Sequence, residues 1–388
     1  MPVLRSIRER FARERPLAGV VVGACLHVTS ETAVLVRTLQ AGGAEVALAA
    51  SNPFATQADV ASALSDEAAV FAGGPDEWAE GVSAVVERAP QITLDDGADL
   101  LGALHTARPD LLPGMLGGTE ETTTGLVRLR ALEAEGALGV PVIAVNEARA
   151  ERAFNDRFGA GQSVLDGIVR ATNVLLAGQT VVVLGYGWTG RGVALRAAGF
   201  GASVIVCEVD PLRALEARME GFAVMPALEA APRGDVFITV TGVPDVLRAE
   251  HFARMKDGAV LANAGQFDVE ISLADLRKAA SSVTEILPLV ERFEVDGRAL
   301  HLVAGGRVVN LAAAAGHPAA VMDVSFALQA LAAEALVSGS WEPGVHPVPD
   351  AIEREVASLK LAALNVEIDA LTDEQANYRS LTSPQLDR

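Results

Sequence analysis

The chain has 388 residues, half of them hydrophobic and only 4% aromatic. That length allows two domains with sizeable cores, and so apolar a composition excludes a disordered chain. With 31 basic against 50 acidic residues the net charge is -19, which argues against a nucleic-acid partner. Cys25 and Cys207 are the only cysteines, too few for a disulfide framework or a thiolate zinc site, and no metal is expected. The N-terminal MPVLRSIRERFARERPLAG lacks the apolar core of a signal peptide. The most apolar long stretch, VVNLAAAAGHPAAVM, carries Asn310, His317 and Pro318 and stops at Asp323, which reads as too short and too polar to span a membrane. The expectation is a cytoplasmic protein with no membrane partner.

In chain order, LAGVVVGACLHV (17–28) reads as a strand entering a polar loop, and ETAVLVRTLQAGG as a helix that stops on glycines. AEVALAASN and AAVFAGG read as further strands, and PQITLDDGADLLGALH as a strand, an acidic turn and a helix. Such alternation implies a parallel sheet with ligands at the strand C-termini. His27, Thr29, Glu31, Asn52, Asp95 and Asp96 fall there and are expected to meet at one crevice. From about residue 162 a long helix, QSVLDGIVRATNVLLAG, leads into QTVVVLGYGWTGRGVALRAAGFGASVIVCEVD. VVVL is a buried strand, Gly185, Gly187 and Gly190 form a GxGxxG turn, a helix follows, and a second strand ends at Glu208, 23 positions after Gly185. This complete unit is a dinucleotide-binding fingerprint. The glycines let a pyrophosphate approach the backbone at the helix N-terminus, and the acid accepts from the ribose hydroxyls. Glu208 favours NAD over NADP, because a 2′-phosphate would meet a carboxylate; Arg213 slightly offsets that preference. Strands continue at DVFITVTG, GAVLANAG and RALHLVAGG, and VVNLAAAAGHP leads into an alanine-rich helix.

The segments CLHVTSET (25–32), NPFATQ (52–57), LDDGADL (94–100), GTEETTTG (118–125), VNEARAERAFNDRFG (145–159), GYGWTGRG (185–192), CEVDP (207–211), NAGQFDVE (263–270) and GRVVNLAAAAGHP (306–318) together resemble the S-adenosylhomocysteine hydrolase family over nearly the whole chain. The resemblance implies an α/β fold of two Rossmann-like domains with parallel sheets, hinged around a cleft. A substrate-binding domain would take residues 1–150 and 319–360, an NAD-binding domain 160–318, and a short C-terminal segment 361–388. It also implies an enzyme that holds NAD tightly. In that family the ribose 3′-hydroxyl is oxidised to a ketone, which acidifies the 4′ C–H. A base removes that proton, the 5′ substituent leaves, water adds, and the ketone is reduced back.

The resemblance assigns Thr29 and Glu31 to the adenine edge, with Leu311 and His317 on its other side. His27 and Asp96 match the pair that moves protons at the 4′ and 5′ positions, and Glu121 a ribose-binding carboxylate. Thr122, Thr123 and Thr124 match the loop facing the nicotinamide, Asn310 a contact to its amide, and Asn263 a further cofactor contact. The implied partners are an adenine nucleoside or S-adenosylhomocysteine-like molecule and identical subunits in a tetramer. The departures concentrate at the catalytic centre. Glu151 stands where the family has the lysine that activates the 3′-hydroxyl, Asn155 where it has the partnering aspartate, Ala160 where it has a cysteine, and Gln266 where it has a histidine. The lysines are Lys256, Lys278 and Lys360 alone, so none lies nearby in sequence. The family's tail carries a lysine and a tyrosine over a partner's NAD; here the sequence runs to SPQLDR, and looser cofactor retention is expected.

Three readings stay open. In the first, Glu151 is the base for the 3′-hydroxyl and the net reaction is that of a lyase or dehydratase, ending at a 4′,5′-alkene after ketone reduction; an epimerase is a near relative. The others are an ordinary S-adenosylhomocysteine hydrolase and a non-catalytic NAD- or nucleoside-binding paralogue.

Overall fold

A computed structural model describes residues 1–53 and 56–382. Phe54 and Ala55 of the NPFATQ segment and the terminal SPQLDR lie outside the described residues. Short apolar runs form β1 (Val21–Leu26), β2 (Glu45–Ala50), β3 (Ala69–Phe71), β4 (Ile92–Asp95), β5 (Gly117–Glu120) and β6 (Pro141–Ala144). β1, β2, β4, β5 and β6 are buried along almost their whole length, as in a parallel sheet covered by helices on both faces. A second sheet takes β7 (Thr180–Leu184), β8 (Ser203–Cys207), β9 (Ala223–Val224), β10 (Val236–Thr239), β11 (Ala259–Asn263), β12 (Ala280–Leu287), β13 (Val290–Val295) and β14 (Arg298–Val303). The chain then returns through the helix Ala319–Ser338 and adds β15 (Gly344–Pro347) to the first sheet. The first sheet has the order β15-β6-β5-β4-β1-β2-β3 and the second β12-β13-β14-β11-β10-β7-β8-β9.

The fold is the expected α/β pair of Rossmann-like sheets, with one difference. The first sheet is parallel throughout, whereas β13 runs antiparallel to both β12 and β14 and closes one edge of the second. The turn between β13 and β14 is Asp296-Gly297, both with positive φ. That dipeptide matches the right-handed twist of a hairpin and is a sequence signal for one.

The long helix expected from about residue 162 begins earlier and stops sooner. It ends at Thr172, where Asn173 turns left-handed, and is preceded without a break by a wide helical segment, Glu151–Ala160, with i to i+5 hydrogen bonding. Wide turns of this kind re-aim side chains and recur at functional sites. The segment crosses the helix Trp188–Gly199 at close range, because Gly192 has no side chain to meet the Arg157 carbonyl.

Ala319–Ser338 is a single 20-residue helix, long and apolar enough to cross a membrane by length and composition. The sequence reading, which stopped the apolar stretch at Asp323, is corrected there. Twelve of its 20 residues are nonetheless buried, with Val324, Leu328 and Leu331 in the core of the first sheet. Asp323 is fully buried because it holds the start of the N-terminal helix Pro2–Glu14. Its carboxylate accepts from the amides of Val3 (3.2 Å) and Leu4 (3.0 Å) and from Lys360 Nζ (3.2 Å). A negative charge at a helix N-terminus satisfies donors that have no partner within the helix. Asp323→Ala leaves those donors buried and unpaired; it should lower unfolding stability in urea by about 3 kcal/mol, with Asp323→Asn falling between.

Candidate active site

Adjacent strand ends set up the chemistry. In β4 and β5 Asp95 lies opposite Glu120. Both turn away from the cleft to cap local backbone. Asp95 accepts from the amides of Leu100 (2.9 Å) and Leu101 (3.0 Å), and Glu120 from the amides of Gly97 (2.9 Å) and Thr122 (2.8 Å). Asp95 therefore does not join the crevice, contrary to the sequence expectation. The next residue of each strand, Asp96 and Glu121, lines the cleft instead. His27 Nε2 lies 3.1 Å from Asp96 Oδ2, and Ser51 Oγ donates to the same oxygen at 3.4 Å.

Glu121 and Glu151 form the second acidic pair. Ser325, on the return helix, donates to Glu121 Oε1, and Asn155 Nδ2 donates to Glu151 Oε1. Glu151 Oε2 and Asn155 Oδ1 are buried with no hydrogen-bond partner among the described residues. Burial, with Asp96 adding, pushes the Glu121 carboxyl up to about 7. Burial and the charges of Glu121 and Asp156 push Glu151 well above the ordinary carboxylate range. Burial likewise raises Asp156 to about 6 against the pull of Arg152. Like charges in a dry site oppose each other's ionisation, so the pair favours its protonated forms.

At one end of the cleft, Thr29 caps the helix Ser30–Ala41, and Glu31 sits in its first turn. His317 and Leu311 line the same cleft; burial, helped by His27, lowers the His317 pKa to about 4. Asn310 Nδ2 donates to Ser163 Oγ and to His317 Nε2, both at 3.3 Å, while its Oδ1 is buried without a partner among the described residues.

At the other end, Gly185 has φ of 106°, and a Cβ on Gly190 would lie 2.1 Å from the Gly185 carbonyl, so strand and helix close together only with glycines there. Beside Gly187 the space is open apart from the Arg213 guanidinium. Glu208 accepts from the amides of Tyr186 (2.6 Å), Val209 (2.6 Å) and Asp210 (3.0 Å), which hold its carboxylate at the tip of β8. Thr122 caps the helix Thr123–Ala134, Thr123 Oγ1 donates to Asn146 Oδ1 (3.0 Å), and Thr124 lines the cleft beside them. An open glycine cradle at one end and an orphaned buried amide oxygen at the other fit the two ends of NAD.

A single cleft of about 1570 Å³ takes in these positions, Gln266 included. Besides Asp95, two expected residues are not on its wall. Asn52 lines a smaller cavity of about 170 Å³ that also touches Gln266. Asn263 is fully buried: its Nδ2 donates to the carbonyls of Gly265, Phe267 and Gly306, and its Oδ1 accepts from Gly265 N and Thr239 Oγ1. Its contact is with the loop that carries Gln266. Sequence reasoning passed over Asn146, Asp156, Ser163 and Ser325. Asp156 follows Glu151 by five positions, one turn of the wide helix; Ser325 has no local signal, since its partner is 204 residues away.

Family models described as S-adenosyl-L-homocysteine hydrolase and as its NAD-binding domain match residues 1–111 and 156–316. The adenosylhomocysteinase of Aquifex aeolicus is 55% identical over 98% of this chain and 93% of its own length. The chain belongs to the S-adenosyl-L-homocysteine hydrolase family. It is an NAD-dependent enzyme of that family. Another relative, the S-inosyl-L-homocysteine hydrolase of Methanosarcina acetivorans, is 52% identical over 97% of the chain and 93% of its own length. Among solved structures, the dipicolinate synthase A chain of Bacillus subtilis shares the fold, with a TM-score of 0.51, 14% identity and coverage of 83% of this chain and 99% of that one.

Two outcomes follow for this family member. An acid raised from 4.5 to about 7 on folding leaves the native state unpenalised below pH 4.5 and increasingly disfavoured as pH rises to 7. Glu121→Gln cannot ionise, so its unfolding midpoint relative to wild type should climb across that window and level off above pH 7. Denaturing the purified protein should release NAD rather than NADP, and Glu208→Ala should weaken NAD binding in calorimetry about tenfold, or ~1.4 kcal/mol.

Proposed function

We propose that this enzyme hydrolyses the thioether of an S-purine-nucleosidyl-homocysteine, with a glutamate serving where a lysine is expected. What carries the reading is the 50–55% identity, over at least 97% of the chain, to relatives named for hydrolysing S-adenosyl- or S-inosyl-homocysteine. Thr29, Glu31, Leu311 and His317 hold the purine, and Glu121 receives the ribose. NAD, when bound, supplies a hydride acceptor and donor at the ribose 3′ carbon. Glu151, once ionised, takes the 3′-hydroxyl proton, and Asn155 holds its other oxygen. Asp96 and His27, already in contact, form the pair that removes the 4′ proton and protonates the departing 5′ group. The reading includes a homo-oligomer.

A second reading, net elimination by a lyase or dehydratase, is favoured by Gln266. An amide at that place in the cleft can donate hydrogen bonds but has no acidic proton to transfer to a leaving group or take from water. Mass spectrometry after incubating the holoenzyme with S-adenosylhomocysteine, S-inosylhomocysteine or adenosine separates the two. Hydrolysis yields nucleoside and homocysteine, whereas elimination alone accumulates a 4′,5′-unsaturated nucleoside.

Glu151→Gln should abolish the transient absorbance of reduced cofactor on adding adenosine while adenosine binding survives. His27→Ala and Asp96→Asn should keep that absorbance but lose solvent exchange of the 4′ hydrogen. Turnover of Glu151→Gln at the wild-type rate would show that Glu151 is not the base.

A further inference from the structure

Asn263, the last residue of β11, ties two loops together from beneath. Its Nδ2 donates to the carbonyls of Gly265 (3.2 Å) and Phe267 (2.7 Å) in one loop and of Gly306 (3.0 Å) in the other. A charged residue follows at once on each loop, Asp268 after Phe267 and Arg307 after Gly306. One fully buried amide therefore fixes where two opposite charges emerge. Arg307 is held further by its own Nε, which donates to the Ala304 carbonyl at 2.9 Å. Both residues line the cavity of about 170 Å³, together with Asn52 and Gln266. Among the described residues on its wall, Arg307 is the only cation and Asp268 the only acid.

This cavity adjoins the main cleft, since Gln266, Val308 and Leu311 line both. On its other side Asn52 directly follows Ser51, whose hydroxyl donates to the Asp96 carboxylate. The wall thus begins one residue from a contact of the pair assigned to the 5′ position. We infer that the cavity is a subsite for an α-amino acid head group carried on a 5′ thioether chain. Arg307 takes the α-carboxylate, Asp268 the α-ammonium, and the amides of Asn52 and Gln266 supply neutral hydrogen bonds beside them. A guanidinium suits the carboxylate because it can donate two parallel hydrogen bonds to it. The centre of the cleft is unsuited to that group: Asp96, Glu121, Glu151 and Asp156 line it, and like charge there disfavours an anion. A zwitterion set between one cation and one acid meets a partner at each end and leaves the net charge of the cavity unchanged.

The inference rests on the thioether substrate proposed above, and its test reads binding apart from chemistry. The 3′-deoxy forms of S-adenosylhomocysteine, of its decarboxylated and deaminated analogues, and of adenosine all lack the hydroxyl that is oxidised. Calorimetric titration of the NAD-bound enzyme with each therefore measures affinity alone. Wild type should bind the full ligand about tenfold tighter than either the decarboxylated or the deaminated one, as expected for one charge-assisted contact on a partly exposed wall. Arg307→Gln should erase the preference for the carboxylate and keep that for the amine; Asp268→Asn should do the reverse. All three proteins should bind 3′-deoxyadenosine alike, whereas a merely structural role would lower the four affinities together. Unchanged preferences in both variants, a uniform loss across the ligands, or no preference in wild type would overturn the subsite. Should Arg307→Gln not fold, the variant of the exposed Asp268 and the wild-type series decide it. Failure of the hydrolysis reading has a different signature: the head-group preferences are present, but mass spectrometry finds no homocysteine released from S-adenosylhomocysteine.

Discussion

The cleft depends on the chain returning to a sheet it has already left. After β6 the backbone builds an entire second sheet, then re-enters the first through Ala319–Ser338 and β15. That return is held by burial of an apolar helix and by one buried carboxylate, Asp323, gripping the amides of a helix more than 300 residues earlier. Burial supplies most of the free energy but little direction; the charge-assisted hydrogen bonds fix the helix's rotation and register. Rotation matters here, because it decides that Ser325 and Gln329 meet the end of β5.

Acidic residues in this protein do two unrelated jobs from adjacent positions. Side chains alternate across a strand, so in Asp95-Asp96 and Glu120-Glu121 the first acid caps backbone behind the sheet and the second enters the cleft. Asp95, Glu120 and Glu121 are all raised by burial, yet of these only Glu121 is on the cleft wall. A raised carboxyl pKa is therefore no marker of chemistry in this fold; the face it occupies is.

Glu151 sets the electrostatic character of the centre through its place beside Glu121 and Asp156. A lysine beside Glu121 would hold that carboxylate ionised. A glutamate there makes a like-charge pair that shares its protons, so the site rests near neutrality through protonation instead of ion pairing. Asn155 is consistent with this, since its amide donates to Glu151 whether or not the acid is ionised.

The parallel strands, the glycine turn with Glu208 and the family were all legible in the sequence, because each rests on local pattern: short apolar runs between helical segments, a glycine required by backbone contact, an acid at the next strand end. His27 and Asp96 were legible as cleft residues for the same reason, lying just after strand ends, whereas Glu121 and Glu151 were legible only through the resemblance to the family. The roles of Asp95 and Asn263 were not, since composition cannot say to which side of a strand or loop a side chain turns. The hairpin over β12–β14 carried its signal in Asp296-Gly297 and went unread against the parallel pattern around it. The wide helix that brings Asp156 beside Glu151, and the return helix that brings Ser325 to Glu121, depend on packing between segments far apart in the chain. Those contacts arise only when two sheets and a returning helix are assembled, and no local pattern encodes them.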